Sequence, residues 1–115
     1  MRIPFTFDLM DGVVNVRGTV RLDGDDLVFE MSQTLAKLVP VGRRTVRLPA
    51  DDVESIDVHA TRLGRVRLVV RPFGFVTVRG FPGDPPGEIV LPLARTDRAA
   101  AEAFAREVRL RNLPR

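Results

Sequence analysis

Apolar and polar residues alternate along most of this chain, which is the pattern of half-buried β-strands. The clearest alternation covers residues 14–22, where valine and leucine fill one face and polar residues, two of them arginines, fill the other. Turn signals such as Asp23-Gly24 separate the alternating segments. The pattern predicts eight short strands, at residues 3–9, 14–22, 27–33, 43–48, 53–58, 65–71, 75–79 and 88–93.

The last part of the chain has a different period. In residues 96–111 the apolar side chains recur at helical spacing, and Phe104 is the one large aromatic among them. Thr96 or Asp97 can begin this helix because either side chain can accept from free backbone N–H groups, and Asn112 marks its end. A short helix after many strands usually covers a sheet, so we expect Phe104 to anchor it in the core.

Residues 34–42 follow neither period strictly. We consider two interpretations of this segment. It forms a helical turn that ends at Pro40, or it forms a loop that covers one mouth of a barrel.

These elements predict a single domain over residues 1–115, a mainly β fold built as a small antiparallel barrel or sandwich of seven to eight strands and closed by one C-terminal α-helix. The long hairpin VRGTVRLDGDDLVFEMSQ, the strand pair RTVRLPADDVESIDV and Phe104 on the closing helix resemble the bacterial pleckstrin-homology-like (PH-like) domains. In that comparison residues 3–9 are an extra N-terminal strand. The resemblance implies a non-catalytic module that holds ligands at loops or along a sheet edge.

The lipid-binding members of that fold carry basic residues around the loop of the first hairpin. Here the loop is acidic, Asp23-Gly24-Asp25-Asp26, so the resemblance does not imply phosphoinositide binding. The chain has 18 basic and 15 acidic residues, a net charge of +3, and every basic residue except Lys37 is arginine. Cysteine is absent, and no apolar run is long enough for a signal peptide or a membrane span. We therefore expect a bacterial cytoplasmic protein without disulfides.

Residues for catalysis are few. The chain has one histidine, His59, which would have to act with Ser32 or Ser55, and four residues along one strand separate Ser55 from His59 too far for a hydrogen bond. Asp57 and His59 share a strand face but lack a third metal ligand nearby in the sequence. We expect no enzymatic activity, no catalytic or metal-binding residues, no cofactor and no small-molecule substrate.

The first functional hypothesis is a protein-interaction or scaffold module. Apolar residues in segment 34–42 and in strand 3–9 are candidates for a surface that binds a protein partner or a second copy of the chain as a homo-oligomer. The alternative is that they cap the barrel of their own chain. The candidate interaction surface comprises Phe5, Leu35, Leu38 and Val41.

The second hypothesis is an electrostatic binder of anionic lipid or nucleic acid through an arginine-rich sheet face. Its candidate residues are Arg17, Arg21, Arg65, Arg67 and Arg71. The alternative is that these arginines form cross-strand ion pairs on solvated faces. Tyrosine and tryptophan, which stack on bases, are absent from the chain.

Overall fold

The computed structural model describes residues 2–74 and 87–112. Seven strands and one α-helix follow each other in this part of the chain: β1 Arg2–Leu9, β2 Val14–Asp23, β3 Asp26–Leu35, β4 Val39–Pro49, β5 Val53–Ala60, β6 Val66–Pro72, β7 Ile89–Leu93 and α1 Arg98–Arg111. Short 3-10 turns lie at Met10–Gly12, Ala50–Asp52 and Arg95–Asp97. The prediction of a mainly β fold with a C-terminal helix is confirmed.

The strands form two antiparallel sheets, with the orders β1-β2-β3-β4 and β5-β6-β7. Within each sheet every strand pairs with its neighbour along the chain, whereas the consecutive strands β4 and β5 belong to different sheets. β1 pairs with β2 over its whole length, from Arg2 opposite Arg21 to Leu9 opposite Val14. The N-terminal strand is therefore an integral edge strand of the larger sheet. It also lies close to β7 of the smaller sheet.

The strand alternation predicted from the sequence sends one row of side chains from each sheet into a shared core. Gly18 shows how tightly this core is packed. A Cβ atom at Gly18 would lie 2.9 Å from Cζ of Phe5 and closer still to the carbonyl oxygen of Glu30. Gly18 is the register partner of Phe5, so the absence of a side chain makes room for the aromatic ring.

Helix α1 contributes the third wall of the core. Phe104 is 1 % exposed, which confirms its predicted role as the anchor, and Ala101, Ala105 and Val108 are buried beside it. The helix begins at Arg98, slightly later than predicted, because residues 95–97 form a 3-10 turn. Asp97 occupies the N-cap position, but its side chain makes no capping hydrogen bond.

The C-terminal turn of α1 is tied to both sheets by polar side chains. Arg109 donates to the carbonyl oxygen of Ile56 and Asn112 to that of Val53, both on β5. Arg111 donates to the carbonyl oxygen of Gly24 in the β2–β3 turn at 2.9 Å. These bonds satisfy backbone acceptors and fix the helix across the sheets.

Residues 34–42 are neither a helical turn nor a covering loop, so both interpretations are wrong. β3 continues to Leu35, and β4 starts at Val39, with Leu35 opposite Val39 in the register. A bulge between Gln33 and Thr34 shifts the register of β3 against β4, and this shift interrupts the alternation of apolar and polar residues in the segment. The predicted strand at residues 75–79 lies outside the described residues.

Candidate functional site

One end of the four-stranded sheet carries a cluster of exposed apolar side chains. Two turns meet there, the Met10–Gly12 turn after β1 and the tight turn between β3 and β4. They are joined by a hydrogen bond in which the backbone N–H of Ala36 donates to the carbonyl oxygen of Val13 at 2.7 Å. We call this region the apolar end; its exposed apolar residues are Met10, Val13, Leu35, Leu38, Val39 and Val41.

Exposure at the apolar end is large. Leu38 is 83 % exposed and Met10 is 73 % exposed. In the rest of the described chain, large apolar side chains with comparable exposure occur only singly, at Leu63 and Leu110. Single exposed apolar residues are common on protein surfaces, whereas a contiguous group marks a binding surface.

The backbone at the apolar end is in unfavourable conformations. Ala36 and Lys37 have φ values of 51° and 61°, and Met10 and Asp11 have 52° and 57°. Within residues 2–74 and 87–112, no other residues except glycines have positive φ. Each left-handed residue of this kind lowers the stability of the fold by about 1–2 kcal/mol relative to the right-handed conformation. Left-handed residues of this kind concentrate at functional sites, where other requirements outweigh local stability.

The turn between β3 and β4 has the geometry of a tight hairpin. The backbone N–H of Leu38 donates to the carbonyl oxygen of Leu35 at 3.0 Å, and the two residues between them have positive φ. A type I′ turn requires positive φ at both central positions and favours Asn-Gly. Ala36-Lys37 occupies them here, and the turn directs Leu38 into solvent.

The outer edge of β4, which lies beside this cluster, pairs with no strand in the described part of the chain. β4 is the last strand of its sheet, and residues 39–45 are all exposed. Pro40 lacks a backbone N–H, and Arg43 and Arg44 place charge along the edge. Proline and charged residues discourage uncontrolled pairing of an edge strand, so the apolar side chains offer a better contact surface than the backbone edge does.

Phe5 does not belong to the candidate interaction surface, so this prediction is corrected. Its side chain is 2 % exposed and lies in the core against Gly18. The exposed side chains of β1 belong to its opposite face, which carries Pro4, Thr6 and Asp8. The remaining predicted residues, Leu35, Leu38 and Val41, lie together at the apolar end.

Sequence reasoning missed Met10, Val13 and Val39 as members of the apolar end. The strand register shows why they belong there. Leu9 pairs with Val14, and Val14 also pairs with Leu35, so the β1–β2 turn and the β3–β4 turn lie at the same end of the sheet. That register could be inferred only after β3 was known to continue to Leu35.

The predicted arginine face is divided between two sheets, which corrects the expectation of one continuous face. Arg17 and Arg21 lie on β2 of the larger sheet, whereas Arg67 and Arg71 lie on β6 of the smaller sheet and Arg65 directly precedes it. The structure does not bring these five residues together on one sheet surface.

Two of these arginines form ion pairs. Arg21 donates to Glu30 at 2.8 Å, and this hydrogen bond holds the pKa of the Glu30 carboxyl below its ordinary value. Arg71 donates to Glu88 at 3.0 Å, and the hydrogen bond raises the pKa of Arg71. Both pairs are solvated and contribute little to stability. Arg17, Arg65 and Arg67 have no ion pair within the described part of the chain.

The single histidine lies on the exposed face of β5. His59 is opposite Arg67, and the neighbouring Asp57 accepts from Arg109 at 3.2 Å. In residues 2–74 and 87–112 no three or more histidine, cysteine or acidic side chains come together as possible metal ligands. Over the same ranges, no helix has the length and apolar character needed to cross a membrane.

Comparison with known proteins gives no assignment. No family model matches the chain, and neither the curated proteins nor the solved structures give a significant match.

Proposed function

We propose that this chain is a non-catalytic interaction module of PH-like architecture and that its apolar end binds protein, in the first place a second copy of the same chain. The observation that carries the proposal is the clustering of six exposed apolar side chains around Leu38. Burying them against a partner removes apolar surface from water, which is the main driving force of protein association.

The order of the elements supports the PH-like part of the proposal. A four-stranded antiparallel sheet precedes a three-stranded one, and a C-terminal helix packs on both. We propose that the two sheets form the two halves of a barrel-like sandwich. The proximity of β1 to β7 supports this, because it brings one edge of each sheet together.

The backbone at the apolar end supports a functional role for this region. Left-handed Ala36 and Lys37 reduce stability, yet they place Leu38 in solvent, where it contributes nothing to the core of its own chain. A partner would supply the missing contacts.

The test is light scattering during size-exclusion chromatography, at low and high salt, on the native chain and on two glutamate variants. Leu38→Glu alters the apolar end, and Leu63→Glu is its matched control because Leu63 is 84 % exposed in the β5–β6 turn. We expect a dimer that survives high salt, persists in Leu63→Glu and becomes a monomer in Leu38→Glu, since salt does not weaken an apolar contact. A monomer under every condition would rule out a second copy as the partner.

A further inference from the structure

The outer face of the four-stranded sheet contains a polar groove next to the apolar end. It has a volume of about 450 Å³ and lies across β1, β2 and β3. We call it the outer groove; its polar lining residues are Thr6, Asp8, Asn15, Arg17, Ser32, Thr34 and Lys37. The strand register explains why they meet. Thr6, Arg17 and Ser32 form one row across the sheet, and Asp8, Asn15 and Thr34 form the next.

We propose that the outer groove binds a small phosphorylated polyol, such as a sugar phosphate, with Arg17 and Lys37 holding the phosphate. The proposal goes beyond the protein-binding role of the apolar end and does not depend on it.

The first argument is the charge of the groove. Neither Arg17 nor Lys37 has a hydrogen-bonded or ionic partner for its side chain in residues 2–74 and 87–112. The one carboxylate in the lining, Asp8, accepts from the amide nitrogen of Asn15 at 2.6 Å. The Asn15 amide is neutral, so Asp8 keeps its charge and the lining carries two cations and one carboxylate. Arg43, opposite Ser32 on β4, brings a further positive charge close to the groove, and the net positive charge attracts an anion.

The second argument is the contrast with the other arginines on the same face. Arg47 donates to Asp23 at 2.9 Å and contacts Asp26 at 3.4 Å. Arg21 and Arg47 flank Val28, which is completely buried although it belongs to the outer face, so their stems are placed to cover it. These two arginines have acidic partners, whereas the Arg17 side chain has none among the described residues.

The third argument is the position of Lys37. It is the one lysine of the chain, and it stands at φ 61°, where glycine would cost less. A long cationic side chain nevertheless occupies this strained position, and it lines the groove from the β3–β4 turn. Lysine is a common phosphate ligand that acts as a point charge.

The uncharged side chains of the groove indicate what the ligand carries besides its phosphate. The hydroxyls of Thr6 and Thr34 can each donate and accept, as the hydroxyls of a polyol require. The Ser32 hydroxyl donates to the Arg17 carbonyl oxygen at 3.3 Å and can still accept from a ligand. No aromatic side chain is among the described residues that line the groove, so a nucleotide base would have no stacking surface. The groove therefore suits a phosphorylated polyol better than a nucleotide.

The test is a titration of the ¹⁵N-labelled full chain, followed by NMR, with glucose 6-phosphate, glucose and inorganic phosphate as separate probes. We expect saturable shifts of the Thr6, Ser32 and Thr34 amides with glucose 6-phosphate, weaker binding of phosphate, and no binding of glucose. Arg17→Gln and Lys37→Gln should each weaken binding about tenfold or more, because each removes a charge-assisted hydrogen bond. Lys37→Arg should retain most of the affinity.

Arg67→Gln is the matched control, since Arg67 is exposed on the other sheet and has no ion pair with any residue that the structure describes. It should leave the affinity unchanged. The proposal would be overturned by shifts that do not saturate, by equal weakening in Arg67→Gln, or by equal affinity for glucose and its phosphate. It would also be overturned if vesicles of phosphatidylcholine with phosphatidic acid bound through Arg17 while glucose 6-phosphate did not, since a lipid headgroup would then be the ligand.

Discussion

The two ends of the four-stranded sheet are built from similar hairpins but have opposite surroundings. We call the end formed by the β2–β3 turn the closed end. There Arg111 of the helix donates to the Gly24 carbonyl oxygen, and the backbone N–H of Ala50 donates to the backbone carbonyl oxygen of Asp25. Leu27 and Leu48, near this turn, are fully or almost fully buried. At the apolar end, Leu35 and Leu38 are exposed.

The comparison separates the parts of the sheet that stabilise the fold from those that are available for binding. At the closed end, apolar side chains are covered by the other sheet and the helix, and polar groups are paired within the chain. At the apolar end, the same residue types are exposed to solvent. Stability should therefore depend on the closed end and association on the apolar end.

The largest expected effect is a difference in stability between variants of two apolar residues in the same hairpin. Phe29 on β3 is completely buried, so Phe29→Ala should lower the free energy of unfolding by about 3–5 kcal/mol through lost burial and a residual cavity. Leu38→Ala should change it by less than about 0.5 kcal/mol, because Leu38 is already in water. Urea denaturation of the two variants at low protein concentration measures both values. A large loss in Leu38→Ala would contradict the division between the two ends.

The next effect concerns two glycines that are not in turns. Gly18→Ala would force a methyl group against Phe5 and the Glu30 backbone, which should cost about 1–3 kcal/mol or more. Gly42 lies on β4 at the apolar end, and a Cβ there would meet nothing within 4 Å. Gly42→Ala should be neutral or stabilise the fold by about 0.5–1 kcal/mol, because alanine loses less backbone entropy. Thermal unfolding of both variants provides the measurement.

A smaller effect compares two turn residues with almost the same φ. Gly24 at the closed end has φ 62°, and Lys37 at the apolar end has φ 61°. Gly24→Ala should destabilise the fold by about 1 kcal/mol, whereas Lys37→Gly should stabilise it by about the same amount. Chemical denaturation gives both differences. A destabilising effect of Lys37→Gly would instead show that the lysine side chain stabilises the turn.

The sequence predicted the body of the fold better than the apolar end, and the reason is physical. Clean alternation in residues 14–22 and helical spacing around Phe104 report directly which side chains face a core. Segment 34–42 faces no core, so burial imposes no period on it, and the bulge after Gln33 removes the remaining alternation. Phe5 was misassigned because alternation identifies the two faces of a strand but does not say which one another sheet covers.

The outer groove was not predictable from spacing alone. Arg17, Ser32 and Lys37 are separated by many residues, and the strand register brings them into one site. The sequence also could not show which arginines have acidic partners, because those pairs cross strands. Arg21 and Arg17 stand on the same face of β2, yet Glu30 lies within reach of the first and not of the second.

The smallest effect is a pH dependence of stability. The Arg21 hydrogen bond lowers the pKa of Glu30 in the folded state, so the pair stabilises the fold above the unfolded pKa of this carboxyl. That contribution is lost as the pH falls through the folded-state pKa of Glu30. Arg21→Gln should therefore destabilise slightly at neutral pH and hardly at all in acid, whereas Arg17→Gln should show no such pH dependence. Unfolding curves at several pH values test this.

Amide hydrogen exchange at two protein concentrations tests the central claim most directly. We expect the β4 amides between Val39 and Thr45 to exchange more slowly at high concentration in the native chain and in Leu63→Glu, and Leu38→Glu to remove this protection. The amides of the β2–β3 turn should exchange at the same rate at both concentrations. Protection that appeared at the closed end instead, or that remained in Leu38→Glu, would contradict the assignment of the apolar end as the interaction surface.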